Sequence, residues 1–364
     1  MALSFGIFYE LTVPKPWTPE GTRNKFKEVL AQVVQAEQSG FSHFWTVEHH
    51  FLGEFSQCSA PEVLYGAISQ LTSRIKIGHA VRLLPFPYNH PIRVAEMAAT
   101  LDLLCDGRLE FGTGRSATIN EMGGFGVQPR EARPMWEEAL DVVVAAWTNE
   151  TFSWEGKYFK IPPRTLVPKP LQQPHPPIWA AASGFDSHVI AGRKGLGLLS
   201  LTLLIELDEV HRRIEAYREA IKHPEPAGKF VNNRTAVFTV VHCAETDAQA
   251  RKNAEEAINW HMEQSFQTNI NFARAVQEGL DPASYEYMLP GKHDDPTKRQ
   301  YDYLTDRGLV IAGSPETCIR KLKAYEAMGV EHLLCIQQLY KMPHETVMKS
   351  IRLIGEHVIP AFAN

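Results

Sequence analysis

The sequence predicts an α/β chain folded as a single (β/α)8 TIM-type barrel with insertions, and three observations predict it. Short β-forming runs alternate with longer amphipathic stretches, the alternation yields eight strands with a helix after each, and closing eight such units removes both sheet edges. The 364 residues are 44% hydrophobic and 22% charged, an ordinary globular composition that by itself fits two domains or one enlarged barrel.

The first strand is expected over 3–8 and its helix over 21–39, where Phe26, Val29, Leu30, Val33 and Ala36 form one apolar stripe between polar residues. Further strands are expected over 43–47, 75–81 and 108–112, with helices over 61–73, 90–105 and 131–149. An Asp106-Gly107 turn stops the third helix. The series continues with strands over 178–181, 197–201, 236–242 and 332–336, and helices over 186–194, 206–221, 248–263 and 344–357.

Two stretches break the repeat inside what reads as one domain over 1–364. Residues 152–177 carry seven prolines after a hairpin signal around Glu155-Gly156, and are expected to run extended along the barrel surface. Residues 265–313 are polar and aromatic and longer than most loops, which suggests a lid or a dimer contact.

Lys and Arg total 37 against 42 Asp and Glu, a net charge of −5 without a basic run, so neither nucleic acid nor an anionic membrane is expected as a partner. The five cysteines are scattered, with no CxxC pair, which fits a reducing cytoplasm better than a disulfide framework. Nothing near the N-terminus reads as a signal peptide, and no apolar run is long enough to span a bilayer.

Barrel enzymes build their sites at the C-terminal strand ends. After the second strand come Glu48, His49 and His50, a dense acid/base group in which alternation sends Glu48 and His50 one way and His49 the other. A packing role is the alternative for His50. A metal site is disfavoured, because adjacent histidines on extended backbone do not both face inward.

The fourth strand exits through Gly112, Gly114, Arg115 and Ala117, a formal GxGxxA match. Because Gly123, Gly124, Gly126 and Pro129 follow, 118–130 is expected to be a loop, so the match reads as a glycine-flanked exit where Arg115 offers a planar cation to an anion. A structural salt bridge is the alternative for Arg115. After the fifth strand, Ser183, Gly184 and Ser187 open a helix, either as a phosphate cradle or as plain capping. Phe8, Trp17, Phe55, Met122 and Phe125 are candidates for an apolar pocket and equally for the core.

TVEHHF at 46–51, IGHAVRLLPFPYNHPIRVAE at 77–96, GRLEFGTGRS at 107–116 and GLVIAGSPETCIRKL at 308–322 resemble, in order and spacing, the bacterial luciferase-like flavin monooxygenases. That resemblance implies a barrel binding FMN at its C-terminal face. It places Glu48 and His49 near the flavin as catalytic candidates, with Ala80 and Val81 supporting the ring at a frequent non-proline cis peptide. Arg115 and Ala117 fall at the phosphate side, with Ser183, Gly184 and Ser187 beside them. It implies reduced FMN, supplied by a separate flavin reductase, reacting with O2 through a C4a-(hydro)peroxyflavin to oxygenate a small organic substrate, in a homodimer, with 291–303 resembling a mobile loop. Gly114 stands where luciferase has a reactive cysteine, so light emission is not expected. The competing readings are a deazaflavin-dependent hydride-transfer enzyme, a non-catalytic flavin-binding protein and a metal-dependent hydrolase.

Overall fold

The computed structural model describes residues 3–116, 118–267, 276 and 295–363. Among these, eight parallel strands close a barrel: β1 (Ser4–Tyr9), β2 (His43–Thr46), β3 (Lys76–His79), β5 (Leu109–Gly114), β8 (Ile178–Ala182), β9 (Gly197–Leu201), β10 (Thr235–Cys243) and β12 (His332–Ile336). Each pairs with the next along the chain, and β12 returns to β1 through Ser4↔His332 to Phe8↔Ile336. Four short strands accompany them. β4 (Arg82–Leu83) extends alongside β5, β6 (Phe152–Glu155) and β7 (Lys160–Arg164) form the antiparallel hairpin expected at Gly156, and β11 (Ile311–Gly313) pairs with the upper end of β10.

Helix starts follow local chemistry. Thr18, Ser314 and His90 each accept a backbone N–H from the first turn, and each is followed by a proline at the first helical position. The helices Pro19–Gln38, Pro61–Leu71 and Pro91–Leu104 then bury one face on the sheet.

The lower end of the barrel is filled. Trp45 and Trp179 meet edge to face at 5.5 Å, each lying over a glycine of a neighbouring strand; a Cβ on Gly78 would stand 2.1 Å from Trp45, and one on Gly197 2.5 Å from Trp179. Beneath them Glu110 is buried and accepts from Trp179 Nε1, Lys76 Nζ and Arg234, each at 2.7 Å. This end is closed by indoles and an ion-pair network, leaving the carboxyl ends of the strands for a site.

Two expectations need correcting. The stretch expected as a loop over 118–130 holds a helix, Ile119–Phe125, capped by the Thr118 hydroxyl and ended by Gly126 at φ +71°, with the next helix, Pro129–Thr148, starting at once. Gly123 and Gly124 lie within the helix, and Gly126 ends it in the left-handed conformation that a glycine adopts freely. The excursion over 265–313 also ends in regular structure that sequence periodicity hid, namely the short helix Tyr301–Asp306 and β11, followed by the helix Pro315–Ala327. Arg251 pairs with Asp302 and stacks on Tyr301, fixing that piece to the helix Asp247–Gln267. Most of the expected lid, including Lys292 and His293, lies outside the described residues. No described helix is long and apolar enough to cross a membrane.

Candidate active site

At the upper end of the barrel lies a chamber of about 1180 Å³, counting its open mouth. Its walls are largely apolar: Phe8 from β1, Leu199 and Leu201 from β9, Phe238 from β10, with Leu52 and Phe55 from the loop after β2. Ala80, Val81 and Gly114 form one side, and the Ala80–Val81 peptide is cis. A Cβ on Gly114 would come within 2.4 Å of Val81 Cγ2, so Val81 packs directly on the glycine and a larger residue there would displace it.

Gly114, Arg115, Ala181 and Ser187 line the chamber and also a narrow crevice leading from it, where Arg133 and Trp136 of the helix Pro129–Thr148 join them. The apolar space therefore continues into a recess with two guanidinium groups. Beside it Ser187 Oγ receives the backbone N–H groups of Ser183 (3.1 Å) and Gly184 (3.0 Å), while buried Arg213 donates to the Ser183 carbonyl at 2.5 Å. The capping alternative is seen here: Ser187 takes the N–H groups of Ser183 and Gly184, and Ser183 and Ser187 also line the chamber.

The expected alternation holds only in part: Glu48 faces His50 but lines the chamber together with His49, because the backbone past Thr46 is no longer strand. Glu48 Oε1 and His50 Nε2 lie 3.2 Å apart, and His49 also turns toward the chamber. Glu48 is 3% exposed, and its oxygens accept from Asn89 Nδ2 (2.9 Å) and the Leu83 backbone N–H (2.9 Å), with Arg82 at 3.4 Å. It thereby ties β2 to the segment carrying Ala80 and Val81.

His49 stands between two carboxylates. Its Nδ1 is 2.8 Å from Glu121 Oε1, and its Nε2 is 3.6 Å from Glu10 Oε2. Glu121 is fully buried and also accepts from the His50 backbone N–H (3.0 Å), Ser116 Oγ (3.1 Å) and Thr118 Oγ1 (2.7 Å). Burial works against a charge on His49, but the Glu121 carboxylate, followed by Glu10 and Glu48, outweighs it and holds the imidazole up at about 9. Glu121 itself is pulled below the usual carboxylate range against the cost of burial, chiefly by His49.

The structure thus brings Glu48, His49, Ala80, Val81, Arg115, Ser183 and Ser187 to one chamber, with Gly184 at its edge through the Ser187 hydrogen bond. Ala117 lies outside the described residues. Of the apolar candidates Phe8 and Phe55 line the chamber, whereas Met122 and Phe125 pack in a satellite cluster and Trp17 is 47% exposed under Lys15. Sequence reasoning missed Glu10, Glu121 and Arg133. Only Glu121 left a signal, the Thr118-x-x-Glu121 spacing of a helix start.

Residues 3–332 match the profile of luciferase-like monooxygenases. Among characterised relatives, limonene 1,2-monooxygenase of Rhodococcus erythropolis is 26% identical, with 99% of this chain and 87% of that protein covered. The oxygenase component of the flavin-dependent trigonelline monooxygenase of Acinetobacter baylyi is also 26% identical (94% and 91%). In three dimensions, the FMN-bound oxygenating constituent of 3,6-diketocamphane monooxygenase from Pseudomonas putida superposes with a TM-score of 0.78 at 23% identity, covering 99% of both chains. An F420-dependent secondary alcohol dehydrogenase shares the fold at a TM-score of 0.70 and 19% identity, covering each chain fully.

Proposed function

This chain belongs to the luciferase-like monooxygenase family, and from that premise we propose that it uses reduced FMN and O2 to oxygenate a small apolar organic substrate. The observation that carries the reading is that the chamber and the recess share a wall: the apolar side at Ala80, Val81 and Gly114 adjoins Arg115, which lines both, and Arg133, which lines the recess. That shape suits a molecule with a planar ring at one end and a phosphate at the other.

Bound there in its reduced form, FMN supplies the electrons that activate dioxygen. Arg115 and Arg133, with the Ser183–Ser187 helix start, hold the phosphate. Ala80, Val81 and Gly114 support the ring, and Glu48 keeps that support in place through Leu83 and Asn89. His49 presents a proton to the chamber, held by Glu121. Phe8, Phe55, Leu201 and Phe238 exclude water and favour an apolar substrate.

A relative named as an oxygenase component supports a separate reductase as the source of reduced flavin. Buried free cysteines support a reducing cytoplasm. Exposed Val63 and Leu71, beside exposed Leu103 and Leu104 on the adjacent helix, support a homodimer paired through that face. The cofactor is tested by titrating the protein with FMN and with a deazaflavin, then adding reduced FMN anaerobically and admitting O2 with a panel of apolar substrates. Substrate-dependent oxygen incorporation is expected. Preference for the deazaflavin without oxygen uptake would instead make the chain a hydride-transfer enzyme.

A further inference from the structure

Glu10 is the most anomalous group in the chamber. It stands just past the end of β1, is 5% exposed, lines the chamber, and its Oε2 has no hydrogen-bond partner among the described residues. A buried carboxylate without donors is costly, so such a group has a reason to be there. The titratable groups facing it are His49 from the end of β2, Glu121 from the helix Ile119–Phe125, and the buried Cys58 thiol from the loop between β2 and the next helix. Glu121, His49 and Glu10 form one row, with contacts of 2.8 Å and 3.6 Å, that begins in the interior and ends at the chamber.

The three members are not equivalent. Glu121 is saturated by four donors and is a fixed anion. Glu121 holds His49 through Nδ1, which orients the ring, favours its charged form and leaves Nε2 toward Glu10. Among the described residues, Glu10 alone of the three has an oxygen that accepts no hydrogen bond, Oε2, with His49 Nε2 at 3.6 Å. We propose that Glu10 is the proton-transferring residue facing the reacting atoms, and that His49, fixed by Glu121, recharges it.

The step balances with water alone. The Glu10 O–H passes its proton to an oxygen of the reacting complex, leaving a carboxylate; the Nε2–H of the His49 imidazolium restores that proton; and neutral His49 takes one from solvent at the mouth. At 3.6 Å the pair is longer than a hydrogen bond, so transfer needs the two groups to approach by several tenths of an ångström or one water between them. Burial, partly countered by His49 and reinforced by Glu121, lifts the Glu10 carboxyl to about 7, where it serves both as donor and as acceptor near neutrality.

The inference rests on the monooxygenase reading, so its test has an arm that needs no cofactor. Infrared difference spectra of the flavin-free protein across a pH titration are expected to show one carboxyl ionising near 7. That signal should vanish in Glu10→Gln, persist in Glu10→Asp, and move to higher pH in His49→Gln, which removes the cation. Turnover of Glu10→Gln is expected to fall roughly 10²-fold, with FMN affinity within about twofold and partial rescue in Glu10→Asp. A flavin-free titration lacking that ionisation in the parent protein overturns the proposal, even if Glu10→Gln does not fold. So does a Glu10→Gln pH profile that matches the parent. Absence of oxygen chemistry in the parent, with the carboxyl signal intact, refutes the monooxygenase reading instead.

Discussion

His49 is a cation because of its neighbours. An isolated imidazole would lose half its charge near 6.5, whereas Glu121, Glu10 and Glu48 hold this one to about 9 despite burial. Its folded value lies above its unfolded one, so its contribution to stability is complete below about 6.5 and is lost as pH rises through about 9. Thermal melts are therefore expected to show a midpoint falling between those values, and Glu121→Gln to flatten that fall. The same variant should move the His49 imidazole titration, followed by histidine NMR, from about 9 toward the ordinary histidine range; an unmoved titration would mean that Glu121 does not hold the charge. His49 was legible as an acid/base candidate from its place after a strand. Its proton affinity was not, because Glu121 arrives from 72 residues away.

At the scale of elements, the helix Pro129–Thr148 matters more than its sequence suggests. It reads as an amphipathic barrel helix, and it is one, burying Trp136, Leu140, Val143 and Trp147. Its first turns also bring Arg133 to the recess beside Arg115, on a neighbouring element. Arg133→Ala is expected to weaken FMN binding by about 1.5–3 kcal/mol, roughly tenfold to a hundredfold in Kd, with riboflavin affinity little changed. Equal losses for FMN and riboflavin would mean that Arg133 does not serve the phosphate. The glycine-rich stretch before it was misread as a loop because residue counts there obscured position: Thr118 caps the start of Ile119–Phe125, and Gly126 ends it.

Across the whole molecule the two ends of the barrel divide the work. The lower end is held by Glu110 with Lys76, Arg234 and Trp179, and the upper end holds the chamber. Glu110→Gln leaves buried donors mispaired and is expected to cost roughly 3 kcal/mol in chemical denaturation while FMN affinity stays the same. A loss of FMN affinity would show that the two ends are coupled. At the helices Pro61–Leu71 and Pro91–Leu104, Leu104→Glu is expected to yield monomers in sedimentation if the exposed apolar face pairs two copies. Unchanged sedimentation would move the interface elsewhere.

By itself the sequence determined the barrel, since hydrophobic periodicity and helix capping are local and repeat eight times along the chain. It also placed Glu48, His49, Arg115 and Ser187 at strand exits, because the fold sends every such exit to one face. Only the tertiary structure decided how those groups are tuned. The Glu121–His49–Glu10 row joins three separate elements, and the recess joins Arg115 to Arg133 across a strand exit and a helix. Charge and burial act through space, so the distances that set them exist only once the barrel has closed.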